Sequence, residues 1–174
     1  MGKLKFFLVI TAMATFISSV AVQALPFVEI VPESDYADEV VIAEGSQLLI
    51  INGKEHIMPA EVYYSEKSGA LMVPVRYICL AVGLPENAVK WDAAQSAITI
   101  DAGKRLVWMQ IGKTHYYVNR VLMPILNDSG NLAIVEVVDG RAFVPYSTMG
   151  EALHITFELT EDGKGARYNF PTQM

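Results

Sequence analysis

The chain has 174 residues, 52% hydrophobic and 18% charged, with 12 glycines and a single cysteine. That length supports one domain or two small ones with a true core, and the composition excludes intrinsic disorder, collagen-like repeats and a disulfide-stapled miniprotein. Thirteen basic residues face 19 acidic ones, a net charge of −6, so neither nucleic acid nor an anionic membrane surface is an expected partner.

The amino end carries Lys3 and Lys5, an apolar run from Phe6 to about Val22, and then Val22-Gln23-Ala24 before Leu25-Pro26. A basic start, an apolar stretch and small residues ahead of a cut make a secretory signal peptide over residues 1–24, cleaved after Ala24. The alternative is an uncleaved anchor, since a run of roughly 17 residues lies at the short end of a spanning helix. Without Lys3 and Lys5, 11 basic residues remain against 19 acidic ones, a net of −8. The expected location is secreted or cell-surface, with no membrane contact after cleavage. Residues 25–46 form an acidic, Pro-punctuated lead-in or linker, with at most a short strand near Glu39–Ala43.

From Leu48 onward short apolar runs alternate with Gly, Asn and Pro, which predicts strands at Leu48–Ile51, Glu61–Tyr64, Ala70–Val73, Ala97–Ile100, Leu106–Ile111, His115–Val118, Leu132–Val138 and Arg141–Val144. Asn52-Gly53 and Asp139-Gly140 are two-residue hairpin signals. Two short helices are predicted, one from Pro74 to Gly83 with proline at its first position, the other from Pro145 to about Leu153. Neither is long enough to persist without packing on a sheet. Cys79 lies inside the first and is expected as a small buried hydrophobe, a disulfide-linked dimer being the alternative.

The two helices expose similar surroundings. Asn52-Gly53, Val73-Pro74-Val75-Arg76, Gly83, Trp91-Asp92 and Ala97–Ile100 are echoed by Asn119-Arg120, Val144-Pro145-Tyr146, His154, Phe157 and Ala166–Phe170. Gly140-Arg141 precedes the second helix. These marks predict an α+β fold of two tandem repeats, residues 47–103 and 104–174, each with antiparallel strands and one helix packed on its sheet, the two packed as one unit.

The pattern Asn-Gly-Lys, a strand, Val-Pro-Val-Arg, a short helix ending in Gly, then Val-x-Trp-Asp and a hairpin resembles the copper amine oxidase N-terminal-like domain, in two copies over about Leu48 to Phe170. The second copy departs from the pattern at Asn119-Arg120, Tyr146-Ser147 and His154. The resemblance implies an extracellular α+β module of secreted and surface proteins of Gram-positive bacteria, associated with envelope attachment. It implies no oxidase activity, because the region stands outside the catalytic core, and Tyr168-Asn169-Phe170 is not the quinone-forming setting.

Chemistry-bearing patterns are few. His56, His115 and His154 lie singly, without ligand spacing, and neither the Glu29–Glu44 carboxylates nor Glu158, Glu161 and Asp162 follow a calcium loop, so no metal site and no cofactor are expected. Ser147 lacks a nucleophile elbow. Arg76, in a first helical turn, is most simply paired with Asp92 or Glu151, while its functional alternative presents a fork to a ligand carboxylate. The binding candidates are aromatic: Tyr63, Tyr64, Trp108, Tyr116 and Tyr117 lie on strands, and one tyrosine of each adjacent pair must face outward. Packing across a sheet is the competing use of these rings.

The resulting expectation is an exported, non-catalytic binding or structural module contacting cell-wall polymer or an extracellular protein. An inhibitor or pro-region-like partner of an exported enzyme is the alternative, followed by an enzyme whose site is gathered from distant loops.

Overall fold

The structure, a computed structural model, describes residues 38–169. The expected signal peptide and most of the expected acidic lead-in lie outside the described residues. Along the first half run β1 (Glu39–Ala43), β2 (Leu48–Ile51), β3 (Lys54–Ile57), β4 (Tyr63–Ser65), β5 (Ala70–Pro74), α1 (Val75–Ala81), a 3-10 turn (Glu86–Ala88), β6 (Val89–Asp92) and β7 (Ala97–Ala102). Then follow β8 (Arg105–Gln110), β9 (His115–Val118), β10 (Val121–Pro124), β11 (Glu136–Val138), β12 (Arg141–Pro145), α2 (Tyr146–Leu153), β13 (Thr156–Leu159) and β14 (Gly165–Asn169).

These strands make three antiparallel sheets, ordered β13-β14-β1-β2-β3, β10-β9-β8-β7-β6 and β11-β12-β5-β4. The expected α+β architecture of two tandem repeats, each with a helix on its own sheet, is therefore incorrect. The described chain is mostly β, with 14 strands and two short helices. The physical reason lies in strand pairing. The last hairpin joins β1, with Val40 opposite Tyr168, while β7 continues into β8, with Ala102 opposite Arg105 across the supposed boundary at 103/104. In the four-stranded sheet β5 pairs with β12, Val73 opposite Val144. Local signals specify turns and helices, but non-local ladders decide which strands share a sheet.

β1 shows the same point. The short strand allowed near Glu39–Ala43 is present with those bounds, and it lies between β14 and β2 with Val40 and Ile42 buried, an inner strand. One hydrophobic cluster joins all three sheets and both helices, including Leu49, Met72, Ile78, Ile100, Met109, Tyr116, Met149 and Tyr168. Burying a side chain of this kind contributes about 1.5–3 kcal/mol.

The asparagines of the turn signals act beyond their turns. Asn52 and Asn119 both have positive φ, and Asn52 Oδ1 accepts from the amides of Asp38 (2.8 Å) and Glu39 (3.0 Å). Asn119 Oδ1 accepts from Leu106 N (2.8 Å), and its Nδ2 donates to Lys104 O (3.0 Å). Each asparagine thus fixes the start of a neighbouring strand. Pro74 and Pro145 are N-caps, each closing a strand before the next residue turns helical, so Pro74 is not the first helical residue. After α1 the chain reverses at Gly83 (φ +87°), and His154 occupies the corresponding left-handed place after α2 (φ +60°). Arg105 of β8 caps α2, donating from Nε to Ala152 O (3.0 Å) and from Nη2 to Glu151 O (3.1 Å).

Candidate functional site

The five aromatic candidates do not form one platform. Alternation along β4 leaves Tyr64 53% exposed and turns Tyr63 inward against Phe143, ring centroids 5.2 Å apart. Along β9 Tyr116 is fully buried, and Tyr117 lies on the opposite face with Trp108 at 5.7 Å and His115 at 5.9 Å. Tyr117 and Trp108 belong to one cross-strand row, Lys90–Thr99–Trp108–Tyr117–Leu122, that crosses all five strands of the β6–β10 sheet. Leu122 at the end of the row is exposed.

The inward tyrosines hold carboxylates. Tyr63 donates to Glu136 Oε2 (3.1 Å), and the hydroxyls of Ser65 and Ser68 donate to Oε1 (2.6 Å each). Desolvation pushes the Glu136 carboxyl upward, but the three hydroxyl donors outweigh it and hold its pKa below the ordinary value. Burial, reinforced by Glu136, raises the Tyr63 phenol. Tyr116 donates to Glu151 Oε2 (3.4 Å), and burial with that carboxylate raises its pKa too. The tyrosines are protonated donors to these carboxylates, and the serines serve Glu136 as donors. The arrangement ties β4 to β11; it does not activate a nucleophile. Ser147, among the described residues, reaches only the Leu126 carbonyl, at 3.5 Å. Among the described residues no group of three or more His, Cys, Asp or Glu side chains is placed to hold a metal ion, and no helix is long and apolar enough to cross a membrane.

Several marks of the supposed repeat meet elsewhere. Between α1, β6 and the β11–β12 turn lies a groove of about 360 Å³, lined among others by Pro74, Arg76, Trp91, Gly140 and Arg141. The fold assembles it from distant parts of the chain. β5 runs directly into α1 and carries Arg76 out of the sheet; the Asp139-Gly140 turn, with both residues at positive φ, sets Arg141 at the start of β12; and β6 is the edge of its sheet, so Trp91 is not covered by a further strand. Trp91 is 52% exposed, whereas Phe157, its expected counterpart, packs beside Tyr146 at 5.9 Å. The two rings therefore have different uses.

The groove's charge is one-sided. Its lining carries the guanidinium forks of Arg76 and Arg141 against the single carboxylate of Asp139; Lys90 also lines it, but alternation along β6 sends its side chain to the face opposite Trp91. The expected pairing of Arg76 with Asp92 or Glu151 is absent among the described residues. Arg76 Nη1 makes a long bond to Glu86 O (3.4 Å), Asp92 Oδ1 accepts from the amides of Ala94 and Gln95, and Glu151 faces Tyr116. Arg141 Nη1 likewise reaches, among the described residues, only a backbone carbonyl, that of Asp139 at 3.3 Å. A second cavity of about 330 Å³ adjoins the first and shares Asp139 and Arg141 with it. Such an arrangement can stack a ring on the indole and hold an oxyanion on the guanidinium forks. As sequence, Trp91, Gly140 and Arg141 read as marks of the repeat, and Arg76 alone carries a ligand-binding alternative. The available signal was Arg76 in a first helical turn, where a cation has no favourable dipole to meet.

Neither a curated protein nor a solved structure matches the chain. Residues 50–166 are matched by the family model described as the copper amine oxidase N-terminal domain, and the chain belongs to that family.

Proposed function

We propose that the protein is an exported, non-catalytic binding module of the cell surface or extracellular space, contacting cell-wall polymer or another protein through the groove between α1, β6 and the β11–β12 turn. The N-terminal domain of the copper amine oxidase family is non-catalytic. The observation that carries the reading is the groove itself: an exposed indole beside two arginines whose side chains, among the described residues, reach only backbone carbonyls. Charged forks left without carboxylates on an acidic protein are suited to an external partner. The basic-then-apolar pattern of residues 1–24 supports export.

The test is retention of the purified protein on whole cell-wall material and, in parallel, capture from the secreted protein fraction. Retention on either, weakened by Trp91→Ala and unchanged by Ser147→Ala or by alanine at His56, His115 or His154, is the expected result. Saturable turnover of a substrate, abolished by one of those polar substitutions, would overturn it. Tyr63 and Tyr116 are unsuitable probes because both support the interior.

A further inference from the structure

We infer that the groove takes an acidic saccharide, with the apolar face of a pyranose ring on Trp91 and its carboxylate on the forks of Arg76 and Arg141. This rests on the binding-module reading and adds the chemical class of the ligand. Three features of the molecule lead to it. Trp91 presents about half of its surface in an open groove, which suits a flat partner with C–H groups on one face. Arg76 and Arg141 share that groove with one carboxylate, that of Asp139, so the charge to be matched is negative. The adjoining cavity shares Arg141 and Asp139 with the first but adds the carboxylate of Glu61, so an anionic group is favoured in the first groove, where both arginines lie. A sugar acid carries its flat face and its carboxylate on one rigid residue. An acidic peptide places its charge at the end of a flexible side chain and lacks the flat saturated ring, so it satisfies the arginines but leaves the indole unused.

The experiment is titration of the full chain with sodium polygalacturonate, using neutral dextran and poly-L-glutamate as comparators. Polygalacturonate is expected to bind, dextran not to bind, and poly-L-glutamate to bind about tenfold more weakly or worse. Arg76→Gln or Arg141→Gln is expected to weaken polygalacturonate binding by about tenfold each, the scale of one lost hydrogen-bonded charge contact. Arg76→Lys, which keeps the charge but loses the fork, should rescue only part of that loss. Trp91→Ala should weaken polygalacturonate and leave poly-L-glutamate unchanged. Melting temperatures close to that of the parent protein show that the variants remain folded, and a variant that melts early is replaced by Arg141→Lys or Trp91→Phe. Equal binding of poly-L-glutamate, indifference to the arginine variants, or no binding of polygalacturonate overturns the inference. Retention on wall material that survives Arg76→Gln/Arg141→Gln refutes the acidic-saccharide site while leaving the module reading intact; loss of all retention by the parent protein refutes that reading as well.

Discussion

Gly150→Ala tests whether the packing of α2 on β13 is as close as the structure places it. Gly150 is buried within α2, and a Cβ added there would meet the ring of Phe157, with Cγ at 2.6 Å, Cε1 at 2.8 Å and Cδ1 nearer still. Two effects oppose each other. Alanine in a helix interior gains about 0.5–1 kcal/mol over glycine. Forcing a side chain into occupied space costs about 1–3 kcal/mol. Phe157 is half-buried and could swing outward, but it then gives up its edge contact with Tyr146, an interaction of about 0.5–1.5 kcal/mol. The clash wins, for a net loss of about 1–2 kcal/mol. At about 4 °C per kcal/mol for a domain of this size, thermal unfolding followed by circular dichroism should show Tm lowered by roughly 4–8 °C. Phe157→Leu in the Gly150→Ala background should recover part of the loss, giving a measurable coupling in a double-mutant cycle. An unchanged or raised Tm would refute the argument, because helix propensity would then outweigh contact with the ring.

Cys79 is fully buried, and its thiol pKa is pushed up to about 12, chiefly by burial, so it should be silent to Ellman's reagent at neutral pH and react only on unfolding. Glu136, whose folded pKa is depressed, stabilises the fold above the ordinary carboxylate range and loses that contribution as pH falls through the folded value. Glu136→Gln should lower Tm at pH 7 and flatten the acid limb of the Tm–pH curve below about pH 4.3. Arg120, at φ +70° in the β9–β10 turn, is a side-chain-bearing residue in a left-handed place, so Arg120→Gly should stabilise the fold by about 0.5–1 kcal/mol, visible as a higher denaturation midpoint in urea.

What the sequence made legible was local. Asn52-Gly53 and Asp139-Gly140 are tight hairpin turns because their residue types tolerate positive φ, and alternation alone separates Tyr64 from Tyr63 and Tyr117 from Tyr116. Proline before each helix marks its start to within one residue. Sheet membership was not legible, because pairings such as Val40 with Tyr168 depend on residues far apart in the chain. The strand expected over Leu132–Val138 is confined to Glu136–Val138. Before it, Asn127 organises a loop, accepting from the amides of Ser129 and Asn131 and donating to Ser68 O. The groove was hidden for the same reason as the sheets: Arg76, Trp91 and Arg141 are brought together only by tertiary packing. Glu136 appears as an ordinary strand carboxylate until Tyr63, Ser65 and Ser68 close around it.

The hydrogen-bonded pairing of β1 with β14 also sets the order of events in folding. Glu39 lies opposite Asn169, so the first sheet is completed by the two extremities of the described chain. A polypeptide synthesised only in part cannot make that pair, and until it forms β1 is joined to the sheet through β2 alone. Closure is therefore a late event with a higher loop-closure entropy than the hairpins between consecutive strands, such as β1 with β2 or β7 with β8. Once closed, the sheet holds Glu39 and Asn169 side by side, so a tether entering through one strand and a tether leaving through the other would pull on the same corner of the molecule.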